Sequence, residues 1–571
     1  MKNILIKTIA ILFVVLLPAS CVKETFPKGS TVTKDQLEGS EQALTYMLSG
    51  IPAAMMNSGA SGYYSSYGIH CDYGMAAIQL ATESMLEDLA VLGEMNYYWF
   101  GSWMQNSSQG SDYIWCAYFW DLYYKWIKLA NEIISIIGEV DENTSEDAIK
   151  VLGQAYAYRA MFYIDLARLY EPKTNKYTTI TSEMMGLTVP IVTEKTTEED
   201  AKFNPRATRE EMYKFIFSDL AKAEEYLANA VESYTTPGLT AVYGLYARAY
   251  LELGATYAEY PDQVPDPAVY DMTSERAYAE AAKYARMAIN RGMHSPLTQS
   301  QWEDPRNGFN DGSSNNSWIW GLTVSAENLS NLVASVAHRS CEAIYGYAVW
   351  TQLGVNQALY SQISDDDFRK HSWIDPDKME YYNYQLAGSA EEQYGFMYGS
   401  MYNYPAVGYQ SIKFRPADGN VMDYTVGNCA DCCLMRIEEM YFIEMEAKLA
   451  TEGLASAQNL LNDFMQSYRY TSYDCYLKTL SKEAFIKEMM LQKRIEFWGE
   501  GILIYDYKRL DQGITRGYEG TNIPSIARYN SEGRSPQWNI VVTRGEYQSN
   551  KGIQHPEKNN PDPTEKLTLW E

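Results

Sequence analysis

The chain has 571 residues, of which 46% are apolar and 21% charged, a composition typical of globular proteins rather than disordered or fibrous ones. Its length could hold a large core and several domains. The formal net charge is −26, from 47 basic and 73 acidic residues. A surface this acidic repels phosphate backbones, so we expect no nucleic-acid partner.

The N-terminal 21 residues have the pattern of a cleaved export signal. A basic start precedes an apolar run over residues 8–17, and the small residues Ala19 and Ser20 lead directly to Cys21. The run is too short to cross a bilayer, which needs about 20 residues. The pattern resembles a bacterial lipoprotein signal, with residues 1–20 removed and Cys21 as the lipid anchor. The alternative is an ordinary signal peptide in which Cys21 has no role.

Polar and aromatic loops separate the more regular parts of the chain. Residues 21–39 are polar and contain Pro27 and Gly29, which predicts a flexible tether. Residues 59–74 and 96–112 are loops rich in Gly, Ser and aromatic residues. The 49 tyrosines and 13 tryptophans are more than a core requires, and tyrosine often keeps one end wet. We therefore expect many of these rings at interfaces or ligand platforms.

Helical periodicity recurs along the chain. Gly138 is a helix stop, and Ser145 offers an N-cap to the helix that follows. The pattern predicts a mainly α-helical body with large loops and little sheet. The predicted helices span residues 40–48, 75–92, 115–137, 145–170, 209–230, 240–253, 275–291, 434–451, 456–468 and 482–498.

The cysteines favour neither a disulfide scaffold nor a metal site. Eight cysteines include Cys21, and the remaining seven lie far apart except for Cys429, Cys432 and Cys433. A zinc site would need a second pair or histidines at fixed spacing, and none of the five histidines lies nearby. We expect ordinary core cysteines, no metal and no cofactor.

Several of these helical segments resemble those of one protein family. Residues 151–172, 239–254, 278–294 and 434–469 resemble, in order, helices of the SusD/RagB family of surface glycan-binding lipoproteins. Residues 491–510 (LQKRIEFWGEGILIYDYKRL) resemble its C-terminal signature. Leu503 stands where the family usually carries Arg. The matching positions are Arg494, Glu496, Glu500, Gly501, Asp506 and Arg509.

The resemblance implies a fold and a role. The fold would be a single α-helical domain over residues 40–571, built on four tetratricopeptide-like helix pairs with large irregular loop insertions. Its N-terminal helix-pair part would span about 40–300 and its C-terminal part about 310–571. Such proteins are anchored by lipid in the outer membrane of Bacteroidetes-type bacteria and face the exterior. They work as a lid over a SusC-like TonB-dependent transporter and capture an oligosaccharide or another nutrient.

The charges of the signature are expected to be structural. Paired charges at helix ends and turns orient neighbouring helices, so Arg494, Glu500, Asp506 and Arg509 are predicted to form internal ion pairs. Arg436 and Glu439, three residues apart, are predicted to pair locally.

A non-catalytic sugar-binding site needs exposed aromatic rings for the apolar sugar face and polar side chains for the hydroxyl rim. Three stretches could supply them. The first stretch lies in the loop 96–112. As an alternative to ligand binding, its rings could pack against the helix at 115–137. The second stretch contains Trp318 and Trp320 and is expected to be a strand that shows both rings on one face. The insert 381–409, which carries eight tyrosines, could contact either ligand or transporter. The candidate ligand-binding residues are Tyr97, Tyr98, Trp99, Trp103 and Asn106; Trp318 and Trp320; and Tyr67 and Asp72.

Other functions stay open at this point. The chain could act mainly as a transporter lid or scaffold with weak ligand binding, or could capture a non-sugar nutrient such as a peptide. An enzyme is the third interpretation. The chain contains no G-x-S-x-G, H-E-x-x-H, G-x-G-x-x-G or P-loop motif, and its carboxylates are too numerous for the sequence to single out a catalytic pair.

Overall fold

The computed structural model describes most of the chain after residue 40. The predicted anchor Cys21, the tether 21–39 and the candidate residues Tyr67 and Tyr97 lie outside the described residues. Within the described part, no helix is both long and apolar enough to cross a bilayer. The described residues are 41–57, 70–93, 95, 98–267, 270–326, 333–343, 345–378, 407–553, 560–564 and 567–571.

Helices dominate the described residues, which also contain two small sheets. The helices are α1 (Glu41–Met56), α2 (Met75–Ser84), α3 (Gly101–Met104), α4 (Ile114–Ile137), α5 (Glu146–Tyr170), α6 (Glu198–Ala201), α7 (Arg209–Leu227), α8 (Leu239–Glu259), α9 (Ser274–Asn290), α10 (Gln299–Trp302), α11 (Ser335–Arg339), α12 (Ala348–Thr351), α13 (Gln357–Tyr360), α14 (Tyr424–Gly427), α15 (Ile437–Thr451), α16 (Leu454–Tyr468), α17 (Lys482–Glu496), α18 (Leu503–Arg509) and α19 (Arg544–Ser549). The strands are β1 (Leu89–Val91), β2 (Trp318–Leu322), β3 (Leu353–Val355) and β4 (Cys432–Arg436).

The long helices pack in series along the chain. Helix α4 lies against α5, α5 against α7, α8 against α9, α9 against α15, and α15 against α16. Each helix buries an apolar face on its neighbours, so one continuous core runs through the described residues. This confirms the mainly helical fold predicted from the sequence, and it is compatible with tetratricopeptide-like pairing.

The predicted ends of the central helices follow from local chemistry. Ser145 caps α5, because its side-chain oxygen accepts a hydrogen bond from the Ala148 backbone N–H at 3.2 Å. Gly138 ends α4 with a φ of 71°, a conformation that glycine adopts without strain.

Two predicted helices are wrong over part of their length. The predicted helix 75–92 ends at Ser84, and β1 follows, paired antiparallel with β3. The predicted helix 434–451 begins only at Ile437, because the preceding residues form β4, which pairs antiparallel with β2. In both cases the partner strand lies far away in sequence, so local apolar periodicity could not distinguish the strand from a helix.

Many tyrosines lie in the core rather than at the surface. Helix α5 buries four of them among small residues such as Ala157 and Ala160. A buried tyrosine hydroxyl can form its hydrogen bond within the protein. The Tyr163 hydroxyl, for example, donates to the Val192 carbonyl at 3.0 Å. The prediction that the excess of tyrosines reflects surface platforms is therefore wrong for this helix. The buried tyrosines of α5 are Tyr156, Tyr158, Tyr163 and Tyr170.

The signature charges form the buried ion pairs expected of them. Arg494 pairs with Asp88 at 2.5 Å, Glu500 with Arg436 at 2.9 Å, and Arg509 with Asp506. Because two of these pairs join residues far apart in sequence, they fix how the C-terminal helices seat against the rest of the core.

The predicted local pair between Arg436 and Glu439 is absent. Glu439 instead accepts two hydrogen bonds from Arg248 of α8, at 2.6 and 2.7 Å. Arg436 belongs to a separate buried cluster around Glu496. The cause is the strand–helix junction at Arg436, which has extended backbone angles and so does not share a helical face with Glu439.

Candidate functional site: an aromatic surface cluster

Most candidate residues of the loop before α4 are buried. Tyr98, Trp103 and Asn106 are each at most 4% exposed. The Trp103 ring lies edge-on to Phe119 of α4 at 5.1 Å between centroids, and Asn106 donates to the Pro563 carbonyl at 3.3 Å. These side chains hold the loop in place against its neighbours, as the alternative interpretation predicts, so their assignment to a surface ligand platform is wrong.

The second and third candidate stretches are also inside the protein. Trp318 and Trp320 do lie on a strand, β2, as predicted, but they are only 2% and 0% exposed. The Trp320 ring packs edge-on against Tyr158 of α5 at 4.9 Å. Asp72 is likewise fully buried. None of the three can reach a sugar on the surface, and their predicted role is wrong.

Among the candidates that the structure describes, Trp99 is the one at the surface. Its side chain is 37% exposed. It contacts His70 edge-on at 4.7 Å and Tyr347 at 6.2 Å between ring centroids. Trp350 extends the row, 5.7 Å from Tyr347. We refer to His70, Trp99, Tyr347 and Trp350 as the aromatic cluster.

Hydrogen bonding and a second layer of rings hold the cluster in place. The Tyr347 hydroxyl lies 3.1 Å from His70 Nε2. Beneath them, buried His338 stacks on Tyr73 at 5.3 Å and contacts Tyr347 at 5.5 Å. Burial lowers the pKa of His70, so the imidazole is neutral at pH 7 and the cluster presents an uncharged face.

Backbone pairing brings the two halves of the cluster together. The sheet of β1 and β3 continues as hydrogen bonds from the Leu92 N–H to the Gln352 carbonyl and from the Gly93 N–H to the Thr351 carbonyl, at 3.0 and 3.1 Å. A Cβ at Gly93 would lie 2.1 Å from the Trp350 carbonyl oxygen. Only glycine therefore allows the segment before Trp99 to lie this close to Trp350.

Sequence reasoning missed three of the four cluster residues. Tyr347 and Trp350 are three residues apart in the segment 346–350, a spacing that puts two rings on one side of a helical turn. His70 lies within the stretch 59–74, rich in Gly, Ser and Tyr, where its single imidazole offers only a weak signal in the sequence. The cluster unites residues more than 200 positions apart, and only the fold makes that visible.

The rings of the cluster offer a surface on which a ligand can stack. Exposed indole and partly exposed imidazole rings offer flat apolar surface, which matches the C–H face of a pyranose. Among the described residues, no group of three or more His, Cys, Asp or Glu side chains is arranged to hold a metal ion.

An open groove lies elsewhere on the molecule. Its volume is about 790 Å³, and it runs between the start of α4, residues 190–204 and α19. Asp112, Asp121 and Glu546 line it together with Tyr113, which is 45% exposed. Its rings Trp120 and Tyr124 lie 4.9 Å apart, but Trp120 is only 4% exposed. The aromatic cluster presents the 37% exposed indole of Trp99, a larger flat surface, and is therefore the better candidate for a sugar site.

Comparisons with known proteins agree with the fold. Two family models match the chain. One, described as "Starch-binding associating with outer membrane", covers residues 66–251, and the other, described as "SusD family", covers residues 298–565. No curated protein sequence matches this chain.

Solved structures from Bacteroides species are similar over nearly the whole chain. A SusD-like carbohydrate-binding protein from Bacteroides vulgatus is 20% identical with a TM-score of 0.65, over 91% of this chain and 98% of the other. A SusD superfamily protein from Bacteroides thetaiotaomicron is 17% identical with a TM-score of 0.63, over 91% and 100%. Surface glycan-binding protein A from Bacteroides fluxus is 16% identical with a TM-score of 0.60, over 91% and 99%. At these identities, the likeness concerns the fold.

Proposed function

The chain belongs to the SusD/RagB family, and we propose that it is a non-catalytic, cell-surface glycan-binding protein that passes its cargo to a SusC-like TonB-dependent transporter. Cys21 is the lipid anchor that ties it to the outer membrane, facing the exterior. Trp99 and the aromatic cluster form the capture surface, and a neutral glycan suits this uncharged face on an acidic protein. The exposed ring of Trp99, held in place by His70 and Tyr347, is the observation that carries the proposal.

Several features support a weak, reversible capture surface. The indole of Trp99 is 37% exposed, and the modest affinity expected of an exposed ring suits a protein that hands on its cargo. Stacking on one exposed indole and its neighbours contributes a modest affinity. The similar proteins from Bacteroides vulgatus and Bacteroides fluxus are described as carbohydrate-binding and glycan-binding, in keeping with this role.

A titration with a matched control tests the proposal. The chain from Val22 onward is titrated with neutral and acidic polysaccharides and with peptides, and binding is followed by tryptophan fluorescence and calorimetry. Trp99→Ala should weaken the binding of the cargo about tenfold, or about 1.4 kcal/mol. Trp570→Ala removes an indole of similar exposure, 40%, far from the cluster in sequence, and should leave affinity unchanged. Equal affinity of the Trp99 variant and the wild type would overturn the assignment.

The scaffold and peptide alternatives give different results. If growth on the nutrient needs the protein but tolerates Trp99→Ala, the chain serves mainly to close the transporter. Saturable binding of peptides alone would identify a non-sugar cargo. Release of shortened glycan by the purified protein would indicate an enzyme.

A further inference from the structure

A second open groove lies between three segments that are distant in sequence. Its volume is about 590 Å³, and residues 296–299, 366–368 and 466–472 line it. That volume is in the range typical of small-ligand sites. None of its lining residues belongs to the aromatic cluster or to the groove beside Tyr113. We refer to this second groove as the neutral groove.

The exposed lining of the neutral groove can form hydrogen bonds but is almost free of charge. Seven of the lining residues are exposed to solvent, and six of these carry an uncharged hydroxyl or amide group. Asp366 is the seventh. Such groups can donate to and accept from the hydroxyl rim of a sugar. The six are Thr298, Gln299, Gln466, Ser467, Thr471 and Ser472.

Two partly exposed tyrosines, Tyr468 and Tyr470, line the same groove. Tyr470 packs edge-on against Tyr473 at 5.6 Å between ring centroids, and Tyr468 contacts Phe464 of α16 at 5.6 Å. These contacts hold both rings in place. The groove therefore combines fixed aromatic residues with neutral hydrogen-bonding groups, the two features that a sugar site needs.

The walls of the neutral groove are tied together by the protein itself. The buried guanidinium of Arg469 donates to the Leu297 and Tyr468 carbonyls at 3.1 and 2.7 Å, which joins two of the three segments. Glu496 balances its charge at 2.6 Å. The Ser472 hydroxyl donates to Asp366 at 2.9 Å and joins the third segment. A ligand that binds here pays little for ordering the walls.

The low charge of the neutral groove distinguishes it from two other open grooves. Six charged residues line the groove beside Tyr113, and five line a further groove of about 410 Å³ beside Lys487. Only Asp366 and the paired Arg469 are charged in the neutral groove. On a chain with a net charge of −26, this lining favours an uncharged ligand with many hydroxyl groups.

We propose that the neutral groove is a second binding site for a neutral oligosaccharide, separate from Trp99. Tyr468 and Tyr470 contact the sugar rings, and the neutral side chains bond to the hydroxyl groups. The inference rests on the proposed function for its ligand class and adds a second site to it. A polysaccharide long enough to reach both sites would be held more tightly than by either site alone.

Crystals show directly whether the groove is filled. Crystals of the wild-type chain from Val22 onward are soaked in short neutral malto-, cello-, xylo- and manno-oligosaccharides. At least one of these should appear in the groove in contact with Tyr470. A groove that stays empty with all four overturns the second site, and a sugar seen on Trp99 in the same crystals would leave the proposed function standing. A sugar in the groove with Trp99 uncovered would support the second site and overturn the assignment of Trp99.

Calorimetry with the oligosaccharide found in the groove shows whether it also binds in solution. The Trp99→Ala variant, which lacks the indole of the aromatic cluster, should retain measurable binding. In that background, Tyr470→Ala should weaken the remaining binding about tenfold. Tyr113→Ala, which removes a 45% exposed ring from the other groove, should have no effect.

A blocking variant keeps the test valid if Tyr470→Ala does not fold. Ser467→Arg places a long side chain in the groove from an exposed position and should also weaken binding in the Trp99→Ala background. Ala455→Arg adds the same charge at an exposed residue of α16 outside the groove and should not. Loss of all binding in Trp99→Ala alone would mean binding at crystal concentration only and would overturn the second site. Equal affinities of the two arginine variants would overturn it as well.

Discussion

Replacing Glu496 by Gln tests the buried charge cluster that joins the C-terminal helices. The Glu496 carboxylate is fully buried and accepts four hydrogen bonds from three guanidinium groups, those of Arg436, Arg469 and Arg369, at 2.6–2.9 Å. Burial alone would raise the pKa of Glu496, but the three positive charges hold it well below its usual range. The neutral amide can no longer balance them.

Removing one partner of a buried ion pair costs about 3–5 kcal/mol, and we expect Glu496→Gln to lower the free energy of unfolding by about that amount. Glu199→Gln is the control, since Glu199 pairs with Lys202 at the surface, where such a pair contributes only about 0–1 kcal/mol. Urea unfolding followed by circular dichroism measures both. A loss below about 1 kcal/mol in Glu496→Gln would refute the account of the cluster.

The pH dependence has a definite sign. Because the folded-state pKa of Glu496 is depressed, its contribution to stability is present above the unfolded value of about 4.5 and is lost as the pH falls through the lower folded value. The wild type should therefore lose more stability than Glu496→Gln when the pH falls below about 4.5.

Three further predictions concern other parts of the molecule. Burial raises the pKa of the Glu83 carboxyl to about 7. The wild type should therefore lose stability relative to Glu83→Gln as the pH rises from about 4.5 to 7, by roughly 1.4 kcal/mol for each pH unit in that interval. Parallel curves of unfolding free energy against pH for the two proteins would contradict this. Gly93→Ala should push its segment away from Trp350 and weaken glycan binding about tenfold, measured by calorimetry. The control Gly50→Ala, with nothing within 4 Å of the added Cβ, should leave binding unchanged. Equal affinities of the two variants would show that the close approach of residue 93 to Trp350 is unimportant for binding. Cys21→Ala should release the protein from the membrane fraction, and continued anchoring in cell fractionation would rule out the lipid anchor.

The helical body could be predicted because its signals are local. Apolar periodicity located α4, α5 and α9 to within a residue or two, and Ser145 and Gly138 marked helix ends through chemistry that depends on a few neighbouring residues. The strands could not be predicted in the same way. The pairing of β1 with β3 and of β2 with β4 depends on contacts across more than 100 residues.

The candidate site was harder to predict because exposure is a property of the whole fold. Trp99 and Trp103 are four residues apart in one aromatic loop, yet one is 37% exposed and the other 1%. The difference arises because Phe119 of α4 covers Trp103, and His70 and Tyr347 flank Trp99 without covering it. A sequence can indicate that rings are abundant, but only the packing decides which of them reach solvent.

The most direct test of the central claim is a crystal structure of the chain from Val22 onward with the glycan that the titration identifies. The account predicts a sugar ring stacked on the indole of Trp99, beside His70 and Trp350. A glycan bound elsewhere, for example in the groove beside Tyr113, with the Trp99 ring uncovered, would contradict it.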